Sequence, residues 1–458
     1  MRRIFTTLLI SIISINTSAQ KEFANRYWFG ILEGASLPLN LHFESRNDSV
    51  FPMLYSPMQG GDKIVPSSFR ITADSLFINV KSLNFEGKWV YNQADSTFAG
   101  QIKQYGNKLN LNLKPSDGIF EIKRPQTPEK PFPYIEEEVM IKNTADNVDL
   151  SGTLTYPVEG NVFATIILIT GSGAQNRDEE IFQHKPFMVI ADYLTCQGMA
   201  VLRCDDRGFG KSSGGINSTT LDFANDVEAM LGFLQSHPKT KGSKIGLVGH
   251  SEGGLIAPIV ASRNKEVAFI ILLAGPGLDG KETLLLQNKK ICQIGGMADS
   301  LINKRLIILE EIFELSASGE DQDMLLKINE IVKKHTINKQ ERKALGLSPK
   351  EVLVMNSQLQ NRWMKTFIDL DPCPYLAMVE CPILALNGEK DCQVLPIENT
   401  TAISKCTTGK AETIIVPNLN HLFQNCTIGS VEEYMTIEET FSEKVMEIIT
   451  EWIKKKVE

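Results

Sequence analysis

The 458-residue chain lacks a strong excess of either charge, long apolar runs beyond its first residues, abundant histidine and cysteines at metal-site spacing. Lys and Arg number 47 against 55 Asp and Glu, giving a net charge of −8. Without clustered basic charge to neutralise phosphates, non-specific nucleic-acid binding is not expected. No later run approaches the ~20 apolar residues of a spanning helix, so stable membrane insertion is not expected either. The eight cysteines all lie from Cys196 onward, and no two form C-x-x-C. That argues against a structural zinc site or redox motif, and no metal or organic cofactor is implied. Disulfides between Cys373 and Cys381, or Cys392 and Cys426, are conceivable; buried free thiols fit as well. With 42% hydrophobic and 22% charged residues the composition is that of a globular chain. At ~100–200 residues per domain, two to four domains are expected.

The N-terminus reads as a targeting segment. Arg2 and Arg3 precede a mostly apolar stretch from Ile4 to Ile15, and Thr17-Ser18-Ala19 offers small residues for cleavage. Residues 1–19 are therefore expected to be a signal peptide, placing the protein in the periplasm or outside the cell. Residues 20–123 then alternate apolar and polar positions in short runs: 39–43, 75–80 and 108–113. Gly60-Gly61, Gly87, Gly100 and Gly106 fall between such runs. This is the grammar of a small all-β domain, with Trp28 and Trp89 as core anchors. Four prolines between 124 and 133 mark a stiff linker.

From residue 134 to 458 the pattern changes to an opening hairpin followed by buried strands alternating with helices. Strands are expected at 164–169, 199–203, 244–248, 267–273, 383–386 and 413–416, and helices at 187–197, 221–235, 253–263 and 437–455. Continuous apolar strands between helices imply a parallel sheet covered on both faces. The alternation is interrupted at about 278–380 by residues at helical spacing, expected to form a cap over the C-terminal edge of the sheet, where open α/β sheets bind ligands.

The chemistry begins at Gly249-His250-Ser251-Glu252-Gly253. This G-x-S-x-G follows a strand and precedes a helix, the context of a nucleophile elbow in which a sharp turn projects a serine hydroxyl clear of the sheet. Serine alone is a poor nucleophile and needs a base. Of the six histidines only His335 and His421 follow it. His335 sits among lysines in the helical insertion, whereas His421 lies just after the last expected strand, where a base must hang. The acid that orients the imidazole should follow the penultimate strand, in Asn387-Gly388-Glu389-Lys390-Asp391; Asp391 is preferred and Glu389 is the alternative. An oxyanion needs two backbone N–H donors. Glu252, next after the serine, supplies one. Ser172 in Thr170-Gly171-Ser172-Gly173-Ala174 is the expected second, with Gly173 next. Arg177 and Asp178, charged and close to that loop, are candidate substrate contacts together with Gly173. Arg207 reads instead as a loop tie through a charge-assisted hydrogen bond.

Taken with Gly171–Glu179, Val201–Ser212, Gly246–Gly254, Asn387–Asp391 and Asn418–His421, the chain from about Val139 onward resembles the α/β-hydrolase superfamily. Within it the chain is similar to bacterial exported carboxylesterases and acyl hydrolases, some of which carry an N-terminal β domain. Thr170 stands where many members have His before the oxyanion glycine, which leaves the second donor less defined. The resemblance implies an α/β-hydrolase sheet with a helical cap, and a secreted serine hydrolase acting on small-molecule carboxylic esters through Ser251, Asp391 and His421. A serine peptidase or aminopeptidase of the same fold is the alternative, with Glu179 or Glu180 holding a substrate amine. A thioesterase and a non-catalytic binding protein on the same scaffold are further readings. Oligomeric state is not legible.

Overall fold

The computed structural model describes residues 23–32, 37–46, 49–59, 62–72, 74–160, 162–215, 217–317 and 323–457. The expected leader, residues 1–19, lies outside them. The chain divides into two compact units between Lys123 and Arg124.

The first unit is all β. Strands β1 (Tyr27–Leu32), β2 (Leu37–Arg46), β3 (Ser49–Tyr55) and β4 (Lys63–Ile64) join β10 (Lys114–Ser116) in one sheet of order β10-β1-β2-β3-β4. The other sheet runs in chain order through β5 (Ser68–Ile71), β6 (Ser75–Val80), β7 (Phe85–Asn92), β8 (Thr97–Gln104) and β9 (Asn107–Asn110). The run 108–113 leaves regular strand after Asn110, although the Leu111 and Leu113 amides still donate to Gly100 and Phe98. Alternate residues of both sheets enter one core that holds Phe43, Leu76, Phe98 and both tryptophans. Each buried indole N–H finds a carbonyl, Trp28 that of Ser96 and Trp89 that of Leu111, which removes the cost of burying the donor.

The second unit is an eight-stranded sheet. Its strands are β11 (Tyr134–Asn143), β12 (Val148–Pro157), β13 (Ala164–Ile169), β14 (Ala200–Cys204), β15 (Lys244–His250), β16 (Phe269–Leu273), β17 (Ile383–Gly388) and β18 (Glu412–Val416). Their order is β11-β12-β14-β13-β15-β16-β17-β18. The hairpin β11–β12 is antiparallel, β12 pairs antiparallel with β14, and every later pairing is parallel. Because side chains alternate across a strand, the apolar runs serve two cores. Ile167, Ile169, Leu247 and Leu272 face α2 (Thr220–Ser236) and α3 (Gly253–Arg263). Ile166, Leu168, Val248 and Leu273 face α1 (Pro186–Cys196) and α12 (Glu443–Val457). Helix α12 begins six residues later than its periodicity suggests, because Gln126 Oε1 takes the Thr440 and Phe441 amides into a loop.

Between β16 and β17 lie helices α4 (Gly280–Ile294), α5 (Asp299–Ala317), α6 (Met324–His335), α7 (Lys339–Ala344), α8 (Pro349–Leu359), α9 (Arg362–Asp369) and α10 (Cys373–Met378); α11 (Pro396–Cys406) follows β17. Several share a separate apolar core built on Ile308, Ile312, Ile328 and Val352. A disulfide joins Cys373 to Cys406. Neither pairing considered from the sequence forms: Cys381, Cys392 and Cys426 are free thiols. No helix among the described residues is long and apolar enough to cross a membrane.

Candidate active site

Parallel strands end at one edge, and the loops there carry every group at issue. Strand β15 delivers Ser251 into a turn with φ of +51°, a left-handed conformation uncommon outside glycine that costs on the order of 1–2 kcal/mol. Two backbone bonds hold it: Ser251 N–H donates to Leu273 at 2.8 Å, and Gly254 N–H donates to Ser251 at 2.8 Å. The flanking glycines are dictated by space. A Cβ on Gly249 would lie 2.0 Å from the Gly253 carbonyl oxygen, and one on Gly253 would lie 2.2 Å from that of Ile169.

Strands β17 and β18 deliver the other two residues. Asp391 Oδ2 lies 2.8 Å from His421 Nδ1. Both side chains are buried, and Asp391 Oδ1 accepts the Gln393 and Val394 amides at 2.7 and 2.9 Å, so the carboxylate has no freedom to turn. Gly388 lets the two loops meet, since a Cβ there would strike the Leu419 and Asn420 carbonyls at 2.4 and 2.5 Å. Buried Asn420 braces the histidine loop by accepting the Leu422 and Gln424 amides. Glu389, the alternative acid, instead accepts the Asn418 amide at 2.9 Å. His335 pairs with Glu311 between two cap helices.

Ser251 and His421 line one cavity of about 340 Å³. The loop after β13 contributes Gly171, Ser172 and Glu179 to its wall; cap helices contribute Leu284, Trp363, Met364 and Phe367. Trp363 stacks on Phe367 at 5.3 Å, and its indole N–H donates to Glu252 Oε1 at 2.7 Å, which ties the cap to the residue after the serine. Thr220 donates to the same oxygen. Burial pushes the Glu252 carboxyl above the usual carboxylate range, against the hydrogen bonds it accepts. The Gly171 amide is spent on Glu179 Oε1 at 2.6 Å, so Ser172 is the first residue of the loop whose amide remains available. Thr170 takes Asp206 Oδ1 with its hydroxyl at 2.8 Å, which fixes the same loop from the other side.

The structure brings Ser251, Glu252, Ser172 and His421 to the cavity, with Asp391 directly behind His421. The remaining expected contacts point elsewhere. Arg177 spreads its guanidinium over Asp205, Glu138, Ser151 and Thr153, and Asp178 pairs with Arg203. Neither residue, nor Gly173, lines the cavity. Both charges are absorbed by holding the loop to β12 and β14, a role that short-range spacing does not reveal. Arg207 binds Asp226 and Asp146 in the same way. Sequence reasoning missed the pairing of Glu179 with His250 at 2.9 Å, because the partners are 71 residues apart. Among the described residues no three His, Cys, Asp or Glu side chains are placed to hold a metal ion.

Esterase EstD of Thermotoga maritima is 28% identical over 181 residues, covering 39% of this chain and 42% of that protein, so the chain spans less than half the length of this curated relative. Among solved structures, the Pyrococcus furiosus esterase Pf2001 aligns with a TM-score of 0.44 at 16% identity, covering 74% of this chain and 99% of that one. Est1E from Butyrivibrio proteoclasticus, solved with ferulic acid bound, aligns with a TM-score of 0.41 at 16% identity over 70% of this chain and 99% of that one. The family described as serine aminopeptidase, S33, matches residues 184–425, more than half of the chain and the stretch that carries Ser251, Asp391 and His421; the chain belongs to this family of the α/β-hydrolase superfamily.

Proposed function

We propose that the protein is a serine hydrolase that cleaves carboxylic esters of small to medium acyl groups through an acyl-enzyme. The observation that carries this is the 2.8 Å hydrogen bond between His421 Nδ1 and Asp391 Oδ2, with His421 and the strained Ser251 facing one cavity. Asp391 fixes the hydrogen on His421 Nδ1, which leaves Nε2 with a lone pair for the Ser251 hydroxyl proton. Ser251 Oγ attacks the acyl carbon while the Ser172 and Glu252 amides receive the oxyanion. His421 returns the proton to the leaving alcohol, and water repeats the sequence to release the acid. The apolar wall of Leu284, Trp363, Met364 and Phe367 suits the acyl chain. The esterase name of the Thermotoga relative agrees with this reading.

The family description favours a second reading, an aminopeptidase. That activity needs an acid free to hold a substrate ammonium. Glu179 is already engaged by Gly171 and His250, while Glu180 lies off the cavity beside Asn176 and Lys185. Export to an oxidising compartment is part of the proposal, supported by the basic and apolar N-terminal sequence and by the Cys373–Cys406 disulfide. The test is hydrolysis of p-nitrophenyl acetate, butyrate and octanoate and of an aminoacyl p-nitroanilide, by wild type and Ser251→Ala. Ester cleavage abolished by the substitution, without anilide cleavage, is expected. Dominant anilide cleavage would move the assignment to peptidase, and activity surviving in Ser251→Ala would remove Ser251 as nucleophile.

A further inference from the structure

His250 is buried, and both of its ring nitrogens meet acceptors. Nε2 lies 3.0 Å from the backbone carbonyl oxygen of His421, which cannot donate, so Nε2 carries a hydrogen. Nδ1 lies 2.9 Å from Glu179 Oε1. The same oxygen also accepts the Gly171 N–H at 2.6 Å, so it faces two nitrogen atoms at once. A carboxylate facing Nδ1 requires a hydrogen there as well. We propose that Glu179 and a doubly protonated His250 form a buried ion pair that positions the oxyanion loop and the base loop against the nucleophile turn.

Each contact of the pair reaches a different part of the site. Glu179 fixes the amide immediately before Ser172, His250 immediately precedes Ser251, and the far nitrogen holds the main chain of His421 itself. Glu179 adopts φ of +52°, a conformation that an unanchored glutamate would leave. The His421 ring stands 4.9 Å from that of His250, Phe423 presents an edge at 6.5 Å, and the Asp391 carboxylate contributes a second negative charge nearby. Burial opposes a charge on His250, but the two carboxylates and the His421 carbonyl outweigh it and raise its affinity for a proton. Glu179 and His250 therefore act as positioning residues; the reacting atoms belong to Ser251 and His421. This inference rests on the reading of Ser251 and His421 given above.

The test has two arms. Nitrogen-15 NMR of wild-type protein labelled at histidine, with the His250 signals assigned by their loss in His250→Gln, reads both ring nitrogens at mildly alkaline pH, where an ordinary imidazole is neutral. Both are expected to be protonated; one unprotonated nitrogen would overturn the pair. Glu179→Gln keeps the side-chain shape and an acceptor for Gly171 but removes the charge. Its kcat on p-nitrophenyl butyrate is expected to fall about 10- to 100-fold as the loops lose registration, with KM within about threefold and a cooperative melt retained. Unchanged kcat, or a loss confined to KM, would overturn the positioning role. If Glu179→Gln fails to fold, the wild-type spectrum decides. If Ser251→Ala remains active, the parent reading falls while the spectrum still judges the pair.

Discussion

Replacing Gly253 by alanine tests how tightly the turn around Ser251 is built. The new Cβ would lie 2.2 Å from the Ile169 carbonyl oxygen, and 2.9 Å from both the Ile169 carbon and the Thr170 oxygen. Side-chain carbon atoms do not approach closer than about 3.0 Å, so the start of α3 and the end of β13 must separate by about 0.8 Å. All three obstacles are backbone, and no rotamer change can relieve them. Overpacking of this kind costs about 1–3 kcal/mol, enough to lower Tm by a few degrees. Activity should suffer more, because Ser251 and the Glu252 amide directly precede Gly253 and move with it; a displacement near 1 Å costs about 100-fold in rate. The assay is kcat/KM on p-nitrophenyl butyrate beside thermal melting. A partner substitution, Gly232→Ala, supplies the contrast: it lies in the exposed middle of α2 with no atom within 4 Å of the added Cβ, and should stabilise by about 0.5–1 kcal/mol with activity unchanged. Wild-type activity and melting in Gly253→Ala would refute the steric argument.

Three further outcomes are expected. Asp391→Asn turns an amide N–H₂ toward His421 Nδ1 and forces the wrong tautomer, so kcat should drop about 10³- to 10⁴-fold with folding preserved; a loss under tenfold in steady-state assays would contradict the role of Asp391. Cys373→Ser opens a link across a 33-residue separation, worth about 3–4 kcal/mol by chain entropy, and wild type melted with reductant should match the variant; indifference to reductant would count against the bridge. Burial, against hydrogen bonds from Thr170 and Gln175, pushes the Asp206 carboxyl up to about 8. Between the ordinary value near 3.8 and about 8, the folded state retains a proton that the unfolded chain has released, so this group's contribution to stability declines as pH rises through that window. Asp206→Asn should flatten the decline in urea midpoints measured at stepped pH, and an unchanged slope would argue against it.

Local signals made much of this legible. Ser251, Asp391 and His421 each follow an apolar strand, and strand-end position is written in adjacent residues. The two faces of the sheet follow from the same runs, because alternation within a strand sends neighbours to opposite cores. What escaped were choices made by distant partners. Arg177 and Asp178 looked like site residues because they sit near the oxyanion loop, yet Asp205 and Arg203 from β14 and its loop claim them. Cys373 found Cys406 rather than Cys381 because α10 and α11, joined in sequence through strand β17, pack side by side. Loop position alone ranks Asp391 above Glu389, and the geometry separates them fully, Glu389 taking a backbone amide and Asp391 the imidazole.

The Cys373–Cys406 bridge also makes a closed covalent ring of the segment that bears Asp391. Ser251 lies before this ring and His421 after it. A protease that cuts any exposed bond between the two cysteines thus leaves the three residues tethered: the nicked protein migrates as a single chain until its disulfide is reduced, and only then parts into a fragment with the serine and a fragment with the histidine. A single break inside the ring therefore leaves Ser251, Asp391 and His421 in one covalent molecule.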